Sequence, residues 1–238
     1  MSDYTSSCFM NIASNLESIH KSIHQACEKA GRNPQSVKLI AVSKTKPIEL
    51  INHAFQAGQV DFGENKVQEL REKQPLLPQA HWHMIGTLQR NKVKYIAPFI
   101  HLIHSVDSEK LLAEVDKQAE KNDRIIDCLL QLNISEEDSK SGLNEARTAE
   151  LLTRIETYPH VRILGLMGMA AFTDDDTLIR SQFRRLANAR SYLARDNHPQ
   201  IQLQELSMGM SGDFEIAIEE GATMVRIGSA VFGGRKYS

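Results

Sequence analysis

The sequence predicts a single (β/α)8 TIM barrel, an α/β fold, with one extra helix in front of its first strand. Three observations carry that expectation. From residue 37 onward, short β-rich apolar runs alternate with helix-patterned stretches, the order that builds parallel βα units. Eight such units can be counted, at roughly 25 residues each, as a barrel needs. A length of 238 residues holds one large barrel or two small domains, and the repeat uses almost all of it. A doubly wound open sheet is the rival arrangement, because it shares the same alternation.

The front helix is expected over 9–30. Ile12, Leu16, Ile19, Ile23 and Cys27 recur at helical spacing, and Gly31 with Pro34 closes the segment. Residues 1–36 therefore read as a helix packed on the barrel, and 37–238 as the barrel itself. Strands are expected at 37–43, 59–62, 81–85, 100–106, 125–133, 161–167, 201–207 and 223–227. Each run is short and mostly apolar, as strands covered on both faces must be. Helical stretches are expected near 47–57, 64–73, 88–96, 108–121, 144–156, 175–195 and 212–220, with a short terminal one from Ser229. The acidic runs Glu136-Glu137-Asp138 and Asp174-Asp175-Asp176 read as solvated loop residues or helix N-terminal charges.

Composition excludes several classes of function. Twenty-eight Lys plus Arg stand against thirty Asp plus Glu, for a net charge of −2. That balance gives no drive toward nucleic acid or an anionic membrane surface. No apolar run approaches the ~20 residues that span a bilayer. The first ten residues lack the basic and apolar regions of a signal peptide. Cys8, Cys27 and Cys128 are odd in number and far apart, which suggests free thiols in the cytoplasm.

In a barrel, chemistry sits at the C-terminal ends of the strands. Lys44 follows the first apolar run directly and can form a Schiff base with a carbonyl; Lys46, before Pro47, reads as a solvated lysine. Asn65 follows Phe62-Gly63-Glu64 and can donate and accept hydrogen bonds, though Glu64 and Asn65 could equally start a helix. Alternation puts His81 and His83 on one face of the third strand. No third ligand has a metal spacing, so structural histidines are the better reading, with His83 near the barrel mouth. Gly165-Leu-Met167 reads as core.

The last two strands end in Ser207-Met-Gly-Met-Ser-Gly212 and Val225-Arg-Ile-Gly-Ser229. Both are Gly/Ser loops leading into a helix, and barrels often hold phosphate in these two loops. Ser211 and Ser229 could also cap those helices. Arg226 lies within an apolar strand, so its charge needs a carboxylate or a ligand as partner. A Schiff-base lysine, a phosphate cradle and a buried arginine together suggest pyridoxal 5′-phosphate (PLP).

Ala41-Val-Ser-Lys-Thr-Lys-Pro47 resembles the PLP-lysine segment of the pyridoxal phosphate homeostasis family, in the alanine-racemase-like barrel group. Phe62-Gly-Glu-Asn65, His83-Met-Ile-Gly86 with Leu88-Gln-Arg-Asn-Lys92, and Gly165-Leu-Met167 are similar to that family too. So are Ser207-Met-Gly-Met-Ser211 and Val225-Arg-Ile-Gly-Ser229 with Phe232-Gly233. The matches run in order from about residue 37 to 235. The resemblance implies PLP held covalently on Lys44. Its phosphate would lie on Ser211, Gly228, Ser229 and the Met210 backbone, its pyridine nitrogen at Arg226, and Asn65 and His83 nearby. Lys66 and Met84 depart from the aromatic residues common at those places.

The family implies PLP homeostasis without established turnover, and apo PLP-enzymes are the expected recipients; lacking the second domain that helps build racemase dimers, the chain is expected to be a monomer. The alternative is a PLP-dependent amino-acid racemase. Two-base racemisation needs a proton carrier on each face of the intermediate, and related racemases draw the second from a further domain. With the sequence ending at Ser238, Tyr237 is a poor substitute, so the expectation is a protein that is not an enzyme.

Overall fold

The computed structural model describes residues 3–135, 142–194 and 198–233, with side chains from Ile12 onward. Glu136-Glu137-Asp138, Tyr237 and the side chain of Cys8 lie outside what is described. Eight parallel strands close into a barrel in sequence order. They are β1 (Lys38–Val42), β2 (Asp61–Glu64), β3 (His81–Met84), β4 (Leu102–Val106), β5 (Ile126–Gln131), β6 (Val161–Met167), β7 (Ile201–Ser207) and β8 (Met224–Ile227). Closure comes from β1 pairing with β8, where Ile40 stands opposite Arg226.

The helices are α1 (Asp3–Lys29), α2 (Ile48–Gln56), α3 (Val67–Lys73), α4 (Glu109–Lys121), α5 (Glu145–Thr153), α6 (Asp176–Leu193), α7 (Phe214–Glu219) and α8 (Ser229–Phe232). Between β3 and β4 the expected α-helix is a 3-10 turn at Arg90–Tyr95. The second strand runs later than expected. Glu64, which could have started a helix, is the last residue of β2 and fully buried. Asp175 caps α6, accepting from the N–H groups of Thr177 and Leu178, as N-terminal acidic residues do.

Period-two alternation sorts the strand residues into two cores. Ile40, Leu102, Leu129, Met167 and Met224 fill the barrel interior. Their neighbours Leu39, Ala41, Ile103, Cys128, Leu166 and Val225 face the helical layer. Helix α1 buries Ile12, Leu16, Ile19, Ile23 and Cys27 in that outer core. It closes over the end of the repeat, where Asn15 donates to the Val231 carbonyl at 3.0 Å and Lys29 pairs with Glu219 at 2.6 Å. Among the described residues, no helix is long and apolar enough to cross a membrane.

Candidate cofactor site

A cavity of about 340 Å3 opens at the C-terminal end of the barrel, a size typical of small-ligand sites. Lys44, Asn65, Met210, Ser211, Arg226, Gly228 and Ser229 all line it, together with Lys46, Ile85 and Met169. Seven of the eight residues expected at the site are thus in one place.

The eighth, His83, is not on the cavity wall. It is wholly buried, with Nε2 3.0 Å from Asp61 Oδ1 and Nδ1 2.9 Å from His104 Nε2. Strand alternation keeps residues 81, 83 and 85 on the inward face. The mouth falls one inward position later than expected, so Ile85 meets the cavity and His83 lies in the layer beneath. Burial lowers the affinity of His83 for a second proton, against the opposing pull of Asp61. His104 is held still further below the ordinary imidazole range by burial, with His83 and Arg226 adding to it.

Lys44 sits half-buried where β1 turns toward α2. The turn is strained: Thr45, a β-branched residue, has φ 63°, a conformation such residues rarely adopt. It is held there by Glu69 Oε2, which accepts from the Thr45 N–H at 2.6 Å, and by its own hydroxyl bonding the Lys44 carbonyl. Lys46 corrects its reading as a solvated lysine. Its Nζ donates to the carbonyls of Phe232 and Gly233 at 3.2 and 2.9 Å, tying the β1 loop to the end of α8.

Asn65 owes its place to Gly86. A Cβ at position 86 would lie 2.5 Å from the Asn65 carbonyl oxygen, so only glycine lets the loop after β3 pass this close. Ser211 and Ser229 face each other, with hydroxyl oxygens 3.3 Å apart. Neither is a helix cap, contrary to one expectation: the caps of α7 and α8 are Asp213 and Gly228. Both hydroxyls remain exposed in the cavity wall. The Met210 N–H donates to Asp213 Oδ1, so the amide expected to face an anion already has a partner. Burial pushes the Asp213 carboxyl above its ordinary range, opposed by that amide and by Arg226.

Arg226 is 4% exposed. Its guanidinium donates to Ser207 Oγ at 2.6 Å and to the Gly168 carbonyl at 3.2 Å. Burial brings its pKa down to about 10, so it stays charged at neutral pH. No carboxylate among the described residues forms an ion pair with it, and Arg226 lines the cavity.

An amine, two facing hydroxyls and a buried cation suit a ligand with a carbonyl, a phosphate and a ring acceptor. At the opposite end of the barrel, Asp61, His81 and His101 bring three donor groups together. The rings of His81 and His101 stack at 4.2 Å with 8° between planes. Their in-plane lone pairs therefore run side by side instead of converging on one ion.

A family model described as alanine racemase, N-terminal domain, matches residues 14–236. A pyridoxal phosphate homeostasis protein of Aquifex aeolicus is 42% identical over 230 residues, covering 96% of this chain and 100% of that one. Among solved structures, PipY of Synechococcus elongatus with PLP bound superposes with a TM-score of 0.81 at 36% identity, covering 93% of this chain and all of that one. An alanine racemase of Streptomyces lavendulae shares the fold at 16% identity and a TM-score of 0.74, covering 95% of this chain and 58% of that one.

Proposed function

The chain belongs to the alanine racemase N-terminal-domain family, and within it to the pyridoxal phosphate homeostasis proteins; from that footing we propose that its cavity holds PLP for supply to other proteins and not for turnover. The observation that carries the reading is the meeting of Lys44, Ser211, Ser229 and Arg226 in one cavity, from strands at both ends of the repeat.

When bound, PLP supplies an aldehyde that condenses with amines and a ring that can draw electrons from a breaking bond. Lys44 is the amine that would hold the aldehyde carbon. Ser211 and Ser229 supply hydroxyl donors for the phosphate, with the Gly228 backbone beside them. Arg226 would meet the pyridine nitrogen. A guanidinium charged at neutral pH would, in that position, keep the nitrogen unprotonated and the ring a weak electron sink.

The wall of the cavity supports holding over racemisation. Among its described residues there is no tyrosine, histidine or carboxylate, and the second amine, Lys46, is engaged with two backbone carbonyls. Two-base chemistry needs a proton carrier on each face of the intermediate, and the amine this reading puts to use among the described wall residues is Lys44.

The deciding experiment loads the protein with PLP and mixes it with an apo PLP-enzyme, with free PLP as control. Activation faster than PLP release to solvent supports delivery. Racemisation of D- or L-alanine at an ordinary enzymatic rate, ~10 per second, would overturn the proposal.

A further inference from the structure

A polar line crosses the apolar interior of the barrel beneath the cavity. Arg226 Nη1 donates to Ser207 Oγ at 2.6 Å. That oxygen lies 2.8 Å from His104 Nδ1. His104 Nε2 lies 2.9 Å from His83 Nδ1, and His83 Nε2 lies 3.0 Å from Asp61 Oδ1. The five residues come from β8, β7, β4, β3 and β2, and the His104–Ser207 link spans the lumen between strands that are not neighbours. All five are buried, three of them with no exposure at all.

The ends of this line fix its direction. A guanidinium can only donate, and an ionised carboxylate can only accept. Asp61 is held ionised: burial alone would raise its pKa, but the bond from His83 and the neighbouring Lys38 and His81 bring it below the ordinary range. His83 must therefore carry its proton on Nε2. Being neutral, it accepts at Nδ1, so His104 carries its proton on Nε2 and accepts at Nδ1. Ser207 then donates to His104, and its lone pairs are left for Arg226.

We propose that Ser207, His104, His83 and Asp61 are positioning residues for Arg226, a one-way hydrogen-bond chain that aims its remaining N–H groups at the ring of the bound cofactor. The proposal rests on the assignment of that ring to Arg226. Without the chain, the Ser207 hydroxyl could rotate, and the guanidinium would lose the acceptor that holds it.

The test uses the full-length protein loaded with PLP labelled with 15N in its ring. In the wild type, NMR should find both His83 and His104 as neutral Nε2–H tautomers. Ser207→Ala should move the ring 15N signal and speed PLP release about tenfold, equivalent to about 1.4 kcal/mol. Ser207→Thr, which keeps the hydroxyl, should restore both. A fold-only role would lower the melting temperature and leave the ring signal in place. An Nδ1–H tautomer at either histidine, or an unmoved ring signal and release rate in Ser207→Ala, overturns the proposal. A wild type that takes up no PLP defeats the cofactor assignment instead, and the two tautomers of the unloaded protein then decide the chain by themselves.

Discussion

Ser43 donates its hydroxyl to Glu64 Oε1 across 2.7 Å, joining the residue before Lys44 to the residue before Asn65. The same carboxylate oxygen accepts from Lys73 Nζ at 2.7 Å, and Lys73 also donates to the Ser43 carbonyl and to Glu69. Glu69 in turn holds Thr45. The Lys44 turn is thus clamped from beneath by a largely buried cluster of two carboxyl groups and one ammonium, in place of a flexible loop.

Lys44→Ala is expected to abolish covalent retention of PLP. Purified wild-type protein incubated with PLP should show an imine absorbance in the visible range and a mass increase after borohydride reduction. The same spectrum and mass shift in Lys44→Ala would remove Lys44 from the proposed site.

Ser211→Ala and Ser229→Ala are each expected to speed PLP loss during dialysis by roughly tenfold or more, the value of one hydrogen bond to a charged group. Retention equal to wild type in both variants would mean that the phosphate lies elsewhere.

Glu64 makes stability depend on pH. Burial raises its pKa to about 7, against the opposing effects of Lys73 and Ser43. The folded protein therefore binds this proton more tightly than the unfolded chain does. The resulting stabilisation is full below the ordinary carboxyl range and is lost as pH rises through about 7. Glu64→Gln keeps the group neutral throughout. Its melting temperature relative to wild type should climb between about pH 5 and 8. A wild type that gains on the variant over that range would contradict this account.

Lys46→Met should cost about 1 kcal/mol by removing the donor to the Phe232 and Gly233 carbonyls. For a chain of this size, that lowers the melting temperature by roughly 2–4 °C. An unchanged melting curve would show the tether to be energetically idle.

The barrel was legible because its evidence is local. Each strand announces itself as a short apolar run, and the alternation with helices dictates parallel pairing. That the two Gly/Ser loops and Lys44 meet at one cavity was legible because strand ends are where barrels place their mouths. Other residues depend on closure. Glu64 reads equally well as a helix start, since nothing nearby in sequence shows that Lys73 and Ser43 will enclose it. Lys46 lies 186 residues from the carbonyl of Phe232 that it meets. His83 was expected one layer too high, because alternation gives the face of a strand and not the depth at which the mouth opens. His104 lies two residues after the inward-facing Leu102, which puts it on the same face, but its partner Ser207 is 103 residues away.

The pairing of β1 with β8 also orders events during synthesis. Lys44 leaves the ribosome early, but Arg226, Gly228 and Ser229 belong to the last strand and its loop. A nascent chain carries the Lys44 amine long before it carries the groups proposed to meet a phosphate or a ring. In the proposed site, tight capture therefore waits for β8 and its loop, and a product truncated before β8 would carry Lys44 without the proposed phosphate and ring contacts.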